Sequence, residues 1–153
     1  MPDTPIELPD WFLENLNFSV NRQYTHTSEA FFCESFIFPF LQQVWKRHAT
    51  LEIWSHQSLI YDDDLSGEPD YFISAWCDEV IDKLINTPLL AVAEAKKQNF
   101  EEGWGQCLAE MIACQKINPD ENITVYGIVS TGLVWEFGKE KYIYKTSPFL
   151  FYF

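Results

Sequence analysis

Leu90-Ala91-Val92-Ala93-Glu94-Ala95-Lys96 is the stretch that decides how this chain is read. An apolar run that ends in charge is the signature of a buried strand whose last residues emerge at a sheet edge or cleft. Side chains on a strand alternate between faces, so Glu94 and Lys96 point the same way. Upstream, Gly67-Glu68-Pro69 marks a turn, and Asp70 follows it at the head of a second apolar segment, Tyr71-Phe72-Ile73. If the two segments are adjacent strands, Asp70 and Glu94 converge on one hard cation with the Lys96 ammonium beside them.

Working outward, 153 residues are most economically one domain, spanning 1–153 and long enough to bury a continuous core. A hydrophobic fraction of 47% and an aromatic fraction of 17% exclude a disordered chain, and the apolar runs are too short to span a bilayer. The opening Met1-Pro2-Asp3-Thr4-Pro5-Ile6-Glu7 has no basic region followed by an apolar stretch, so the expected location is cytoplasmic, with no membrane partner. Cys33, Cys77, Cys107 and Cys114 contain no Cys-x-x-Cys pair, and His26, His48 and His56 are scattered, so neither a disulfide framework nor a zinc site is indicated. With 10 Lys+Arg against 23 Asp+Glu the net charge is −13, which opposes nonspecific binding to nucleic acid. A locally basic cleft, a bound cation or a partner subunit would offset it; excess acid also keeps an aromatic-rich domain soluble.

Along the chain, residues 1–27 read as a peripheral arm, Pro-rich at first, with Trp11-Phe12-Leu13 starting a short helix or a packed segment. Helical spacing after a Ser/Thr cap predicts a helix over about 28–48, with Pro39 kinking or dividing it. Partial alternation predicts a strand over 51–60, and Asp62-Asp63-Asp64 with Ser66-Gly67 makes the next turn; the aspartates lack the remaining ligand spacing of an EF-hand. Strands are expected near 70–75 and 88–96, with 75–85 left open between them. A second helix spans about 101–117, with Trp104, Leu108, Met111 and Ile112 on its apolar stripe, and Asn118-Pro119-Asp120 stops it. A strand at 123–130 and a hairpin around Gly138-Lys139-Glu140 follow. The terminal Phe149-Leu150-Phe151-Tyr152-Phe153 either packs on the domain or forms a self-association surface. The fold class is α/β, a central mixed sheet flanked by helices.

Over about residues 28–137 the chain resembles the PD-(D/E)XK nuclease superfamily, the restriction-endonuclease-like fold. The matching features are a leading helix carrying Glu34, a strand delivering Asp70 after Pro69, a strand ending in Glu94-Ala95-Lys96, the helix beginning near Glu101, and the strand at 123–130. Gly103-Trp104-Gly105-Gln106, Val125-Tyr126-Gly127-Ile128 and Trp135-Glu136-Phe137 look like small proteins frequent in cyanobacteria, a likeness that supports the fold and carries no activity.

The resemblance implies a hydrolase that cleaves phosphodiester bonds of DNA, ahead of RNA, leaving a 5′-phosphate and a 3′-hydroxyl. Its metal ligands would be Asp70, Glu94 and the backbone carbonyl of Ala95, holding Mg²⁺ or, in its place, Mn²⁺. Lys96 would orient the attacking water or stabilise the transition state. Glu34 would reach the metal through water or a second cation, with Glu29 on the same helix competing for that place. Gln106 corresponds to the superfamily's supporting polar residue. Lys97 and Gln98 are either phosphate contacts or a solvated loop, and Trp104 and Trp135 either stack bases or pack in the core. A homodimer or a protein partner is open. The competing reading is a catalytically silent or partner-dependent binding or regulatory module on the same fold. An α/β enzyme for a small phosphorylated metabolite is weaker, because no Gly-rich phosphate loop follows any strand.

Overall fold

The apolar runs assemble into one mixed sheet in the computed structural model, which describes residues 7–22, 28–76, 85–97 and 99–139 and the backbone of 142–146. Five strands, in the order β1 (Leu51–Ser55), β4 (Tyr71–Ala75), β5 (Leu89–Ala95), β6 (Tyr126–Ser130) and β7 (Trp135–Lys139), form its body, and β8 (Tyr142–Thr146) extends it at the edge. The β5–β6 pair is parallel and every other neighbouring pair antiparallel. Parallel neighbours need a crossover, and α4 (Phe100–Ile117) supplies it. A small hairpin of β2 (Leu59–Ile60) and β3 (Ser66–Gly67) stands apart from the main sheet and touches α4. The expected strand over 51–60 is thus split, and His56, with φ of 48°, turns the chain at the break.

α4 begins where Asn99 caps it, its side chain accepting from Glu102 N at 3.1 Å. It ends at Asn118, whose side chain brackets Leu89 with two hydrogen bonds, accepting from Leu89 N at 2.6 Å and donating to Leu89 O at 2.8 Å. Those bonds tie the helix end to the start of β5. The buried stripe of α4 differs from the expected one. Trp104 and Met111 face the sheet, but Leu108 and Ile112 are 37% and 47% exposed, and Glu110 is buried in the stripe beside Met111. Gly103 lets the helix lie close, since a Cβ there would come within 2.7 Å of both Lys96 Cγ and Val129 Cγ1.

The other face carries the leading helix. It runs as α2 (Glu29–Phe32), a π-helical turn (Cys33–Ile37) and α3 (Phe38–Trp45), with Ser28 accepting from Phe31 N at the start. Pro39 sits in the first turn of α3, so the interruption falls where a proline lacks its N–H and crowds the preceding turn. Cys33, Ile37 and Leu41 meet Tyr71, Ala93, Ala95, Ile128 and Trp135 in one core cluster, while Val92, Phe72, Val129, Trp104, Cys107 and Met111 form the cluster on the α4 side. The arm contains a full helix, α1 (Asp10–Arg22), held by Phe12 and Leu16 against Phe36. The expected hairpin near 138–140 is present as β7 and β8, whereas the segment 77–84, Cys77 and the terminal 149–153 lie outside the described residues. No helix among the described residues is long and apolar enough to cross a membrane.

Candidate active site

Three chain segments meet at one end of the sheet, where β1 stops, β4 begins and β5 stops. The ladder pairs Tyr71 with Ala93, so Asp70 and Glu94 stand opposite each other one position further on. His56 N donates to the Asp70 carbonyl at 3.1 Å, and Lys96 N to the Ser130 carbonyl at 2.9 Å, so β1 and β6 hold the same end from both sides. Asp70 Oδ2 accepts from Ala95 N at 2.8 Å, and Glu94 Oε1 accepts from Asp70 N at 3.4 Å. Each carboxylate is thereby anchored on the backbone of the other's strand. The Ala95 N–H is thus committed to Asp70.

Glu94 lies on the α4 side, alternating with Ala93 and Ala95, which enter the opposite cluster. It is 2% exposed, and it faces Glu110, itself 5% exposed, on α4. Burial, then the Glu110 carboxyl, then Asp70 push Glu94 up to about 9, against the pull of the Lys96 ammonium. Burial raises Glu110 as well, with Glu94, Gln106 and Lys96 pulling it down and Asp70 adding to the rise. At neutral pH the pair therefore keeps a proton that two solvated glutamates would have lost. Glu110 Oε2 is buried without a hydrogen-bond partner. Gln106, one turn before Glu110, acts on that carboxyl rather than on Asp70 or Glu94 directly.

His56 completes the mouth of the site. Its Nδ1 lies 3.7 Å from Asp70 Oδ1, with the two side chains 54% and 23% exposed. Nothing in its sequence surroundings singled it out, because its proximity to Asp70 comes from the β1–β4 pairing. Glu110 was equally hidden: it reads as one more solvated helix glutamate, and its spacing of one turn from Gln106 is the single available signal.

Asp70, Glu94, Lys96 and Gln106 are thus brought to one place, and Glu34 is not. Glu34 is exposed and lines a cleft between α1 and the π-helical turn, with Trp11, Asn15 and Ser19. Its charge reaches Tyr71, and that of Glu29, also exposed, reaches Cys33, both on the sheet face away from Glu94. Trp104 and Trp135 are buried, and the Trp104 indole donates to Glu136 Oε2 at 2.7 Å, so both pack in the core rather than offering faces to bases. Cys33, Cys107 and Cys114 are free and buried, with burial pushing Cys33 and Cys114 up to about 12, which leaves them inert thiols. Asp62 caps its own turn, accepting from Asp64 N and Leu65 N at 3.0 and 2.7 Å.

The donor set is entirely of hard oxygens, and one of them, Glu110 Oε2, is buried without a partner, so the residues suit a hard divalent cation by chemistry. The carboxylates are adjacent rather than converged: among the described residues no three His, Cys, Asp or Glu side chains already form a metal-binding group. Comparison with family models, with curated proteins and with solved structures gives no match for this chain.

Proposed function

We propose that this protein is a metal-dependent phosphodiesterase of the PD-(D/E)XK type, hydrolysing nucleic acid, DNA ahead of RNA. The observation that carries this reading is the mutual anchoring of Asp70 and Glu94 across β4 and β5, with Lys96 projecting from the same strand end on the same face. The sequence of leading helix, antiparallel β1, β4 and β5, crossover helix α4 and parallel β6 supports a restriction-endonuclease-like core.

Asp70 and Glu94 would hold Mg²⁺ or Mn²⁺. The chemistry such a cation would supply is a lowered pKa for an attacking water and an offset to charge developing on the phosphoryl oxygens. The chain's own contribution is positional. The Ala95 N–H fixes one Asp70 oxygen and leaves Oδ1 facing outward toward His56. Lys96, packed by its stem against Gly103, places an ammonium where it counters the carboxylate charge and can stabilise a pentavalent phosphorus centre. His56, exposed beside Asp70, would be the group to pass a proton to a departing alkoxide.

The net charge of −13 and the exposed Leu108, Ile112 and Tyr126 favour a second reading, a binding module or a nuclease subunit whose partner supplies the basic surface. The deciding experiment is Mg²⁺- and Mn²⁺-dependent cleavage of single- and double-stranded DNA and RNA by the purified protein, paired with Lys96→Ala. Cleavage that disappears in the variant supports the nuclease. Intact substrate under every condition moves the assignment to the partner-dependent module.

A further inference from the structure

We propose that the outward face of α4 is a self-association surface, on which a second copy of this chain packs its own α4 antiparallel. The proposal stands on α4 alone and is independent of the metal-dependent reading.

A helix laid on a sheet ordinarily carries one apolar stripe, toward the sheet, and polar residues on its other side. α4 carries two. Trp104, Cys107, Met111 and Cys114 face the core, while Gly105, Leu108, Ala109 and Ile112, spaced i, i+3, i+4 and i+7, share an exposed stripe. A groove of about 270 Å³ lies beside it, lined by Leu108, Met111, Ile112, Gln115 and Val125. Glycine inside a helix weakens that helix relative to alanine, so each one there calls for a reason. Gly103, toward the sheet, has its reason in Lys96 and Val129, which a Cβ would meet at 2.7 Å. Gly105 has none among the described residues, since a Cβ there would meet nothing within 4 Å. The hollow that it leaves beside Leu108 and Ala109 suits a side chain delivered by another molecule.

The helix itself specifies which molecule. Its first turn is acidic, with Glu101 and Glu102, and its last turn is basic, with Lys116. Two copies running antiparallel about a two-fold axis near Leu108 and Ala109 would set Ile112 of the partner subunit over Gly105, Ala109 of the partner subunit against Leu108, and Lys116 of the partner subunit beside Glu101. Each contact occurs twice, as an isologous interface requires. Large meets small and acid meets base along the whole stripe, so shape and charge are complementary here although each chain carries a net −13. Lys116 Nζ already holds Glu121 at 2.9 Å, an exposed pair that leaves the ammonium with donors to spare. A parallel arrangement would instead bring the acidic first turns together.

The test is sedimentation equilibrium of the full chain over roughly 1–200 μM, the range suited to an interface built on a single helix pair. Wild type is expected to show a monomer and dimer in equilibrium. Ile112→Glu and Gly105→Gln, both at exposed positions, should each weaken the dimer by at least about ten-fold. Gly105→Gln places a better helix former in space that is open in the single chain, so its thermal midpoint at low concentration should hold or rise while association falls. That opposition of signs separates an interface from a folding defect. Glu101→Lys and Lys116→Glu should each weaken the dimer, and the double variant should recover it. A monomer at every concentration overturns the proposal. So does a dimer that Ile112→Glu or Gly105→Gln leaves intact, because the close approach of two α4 helices would then be absent. Charge variants without recovery in the double overturn the antiparallel arrangement and the proposal with it.

Discussion

The two faces of β5 are built from alternate residues of one strand and follow opposite rules. Ala93 and Ala95 enter an apolar cluster with Cys33, Ile37, Leu41 and Trp135, on the side covered by the leading helix. Val92 starts the other side in the same way, among Phe72, Trp104 and Met111, but one step further along the strand Glu94 replaces hydrocarbon and meets a second buried glutamate. One face is satisfied by packing alone. The other is satisfied by packing up to the strand end, where two buried carboxyls retain a proton between them. Burying paired carboxyls costs free energy, and for that reason the proposed function is placed at this pair.

The sharpest test of that contrast removes the cation of the polar face. Lys96→Ala should reduce nucleic-acid cleavage by about 10²–10³-fold, with the thermal midpoint little changed, read in a gel assay beside a melting curve. Equal loss of fold and activity would erase the distinction between the faces. The apolar face should respond in the opposite sense: Ile37→Ala, at a residue 1% exposed, is expected to cost about 2–5 kcal/mol in urea unfolding. Folded protein surviving that substitution should retain its Mn²⁺ affinity.

A third prediction concerns pH. The Glu94 carboxyl is raised from an ordinary 4.5 to about 9, chiefly by burial and by Glu110. Below the ordinary value the folded and unfolded chains both hold this proton. As pH rises through the interval up to about 9 the unfolded chain gives it up while the fold retains it, so metal-free stability falls across that interval and levels off above it. Melting curves in metal-free buffer should descend from pH 5 to pH 9, and Glu94→Gln should flatten the slope. An unchanged slope in the variant would mean that the burial of this carboxyl carries no linkage. The smallest effect is expected at Glu34, where Glu34→Gln should leave cleavage unaltered and stability within about 0.5 kcal/mol, measured in the same two assays.

Much of this was legible in the chain. The run from Leu90 to Lys96 reads as a strand delivering two charges to one side, because strand alternation is a backbone property that any sheet respects. Pro39 announced an interruption of the leading helix, and Asn118 with Pro119 announced the end of α4. Where the structure departs from the local pattern, the origin is tertiary. Leu108 and Ile112 look like core because they share a period with Trp104 and Met111, yet the sheet meets α4 along a line that runs through Glu110 instead. Glu34 looks like a site residue because it is acidic and on the expected helix, yet that helix covers the far face and turns Glu34 toward α1.

The sequence alone determined the α/β class, the two apolar segments that carry Asp70 and Glu94, and the shared side of Glu94 and Lys96, because period-two alternation and turn chemistry are local. Only the tertiary structure decided which further residues meet that strand end. His56 arrives through the pairing of β1 with β4, and Glu110 through the angle at which α4 crosses β5 and β6. Both are contacts between segments distant in the chain, set by how the two core clusters pack, and no local pattern records them.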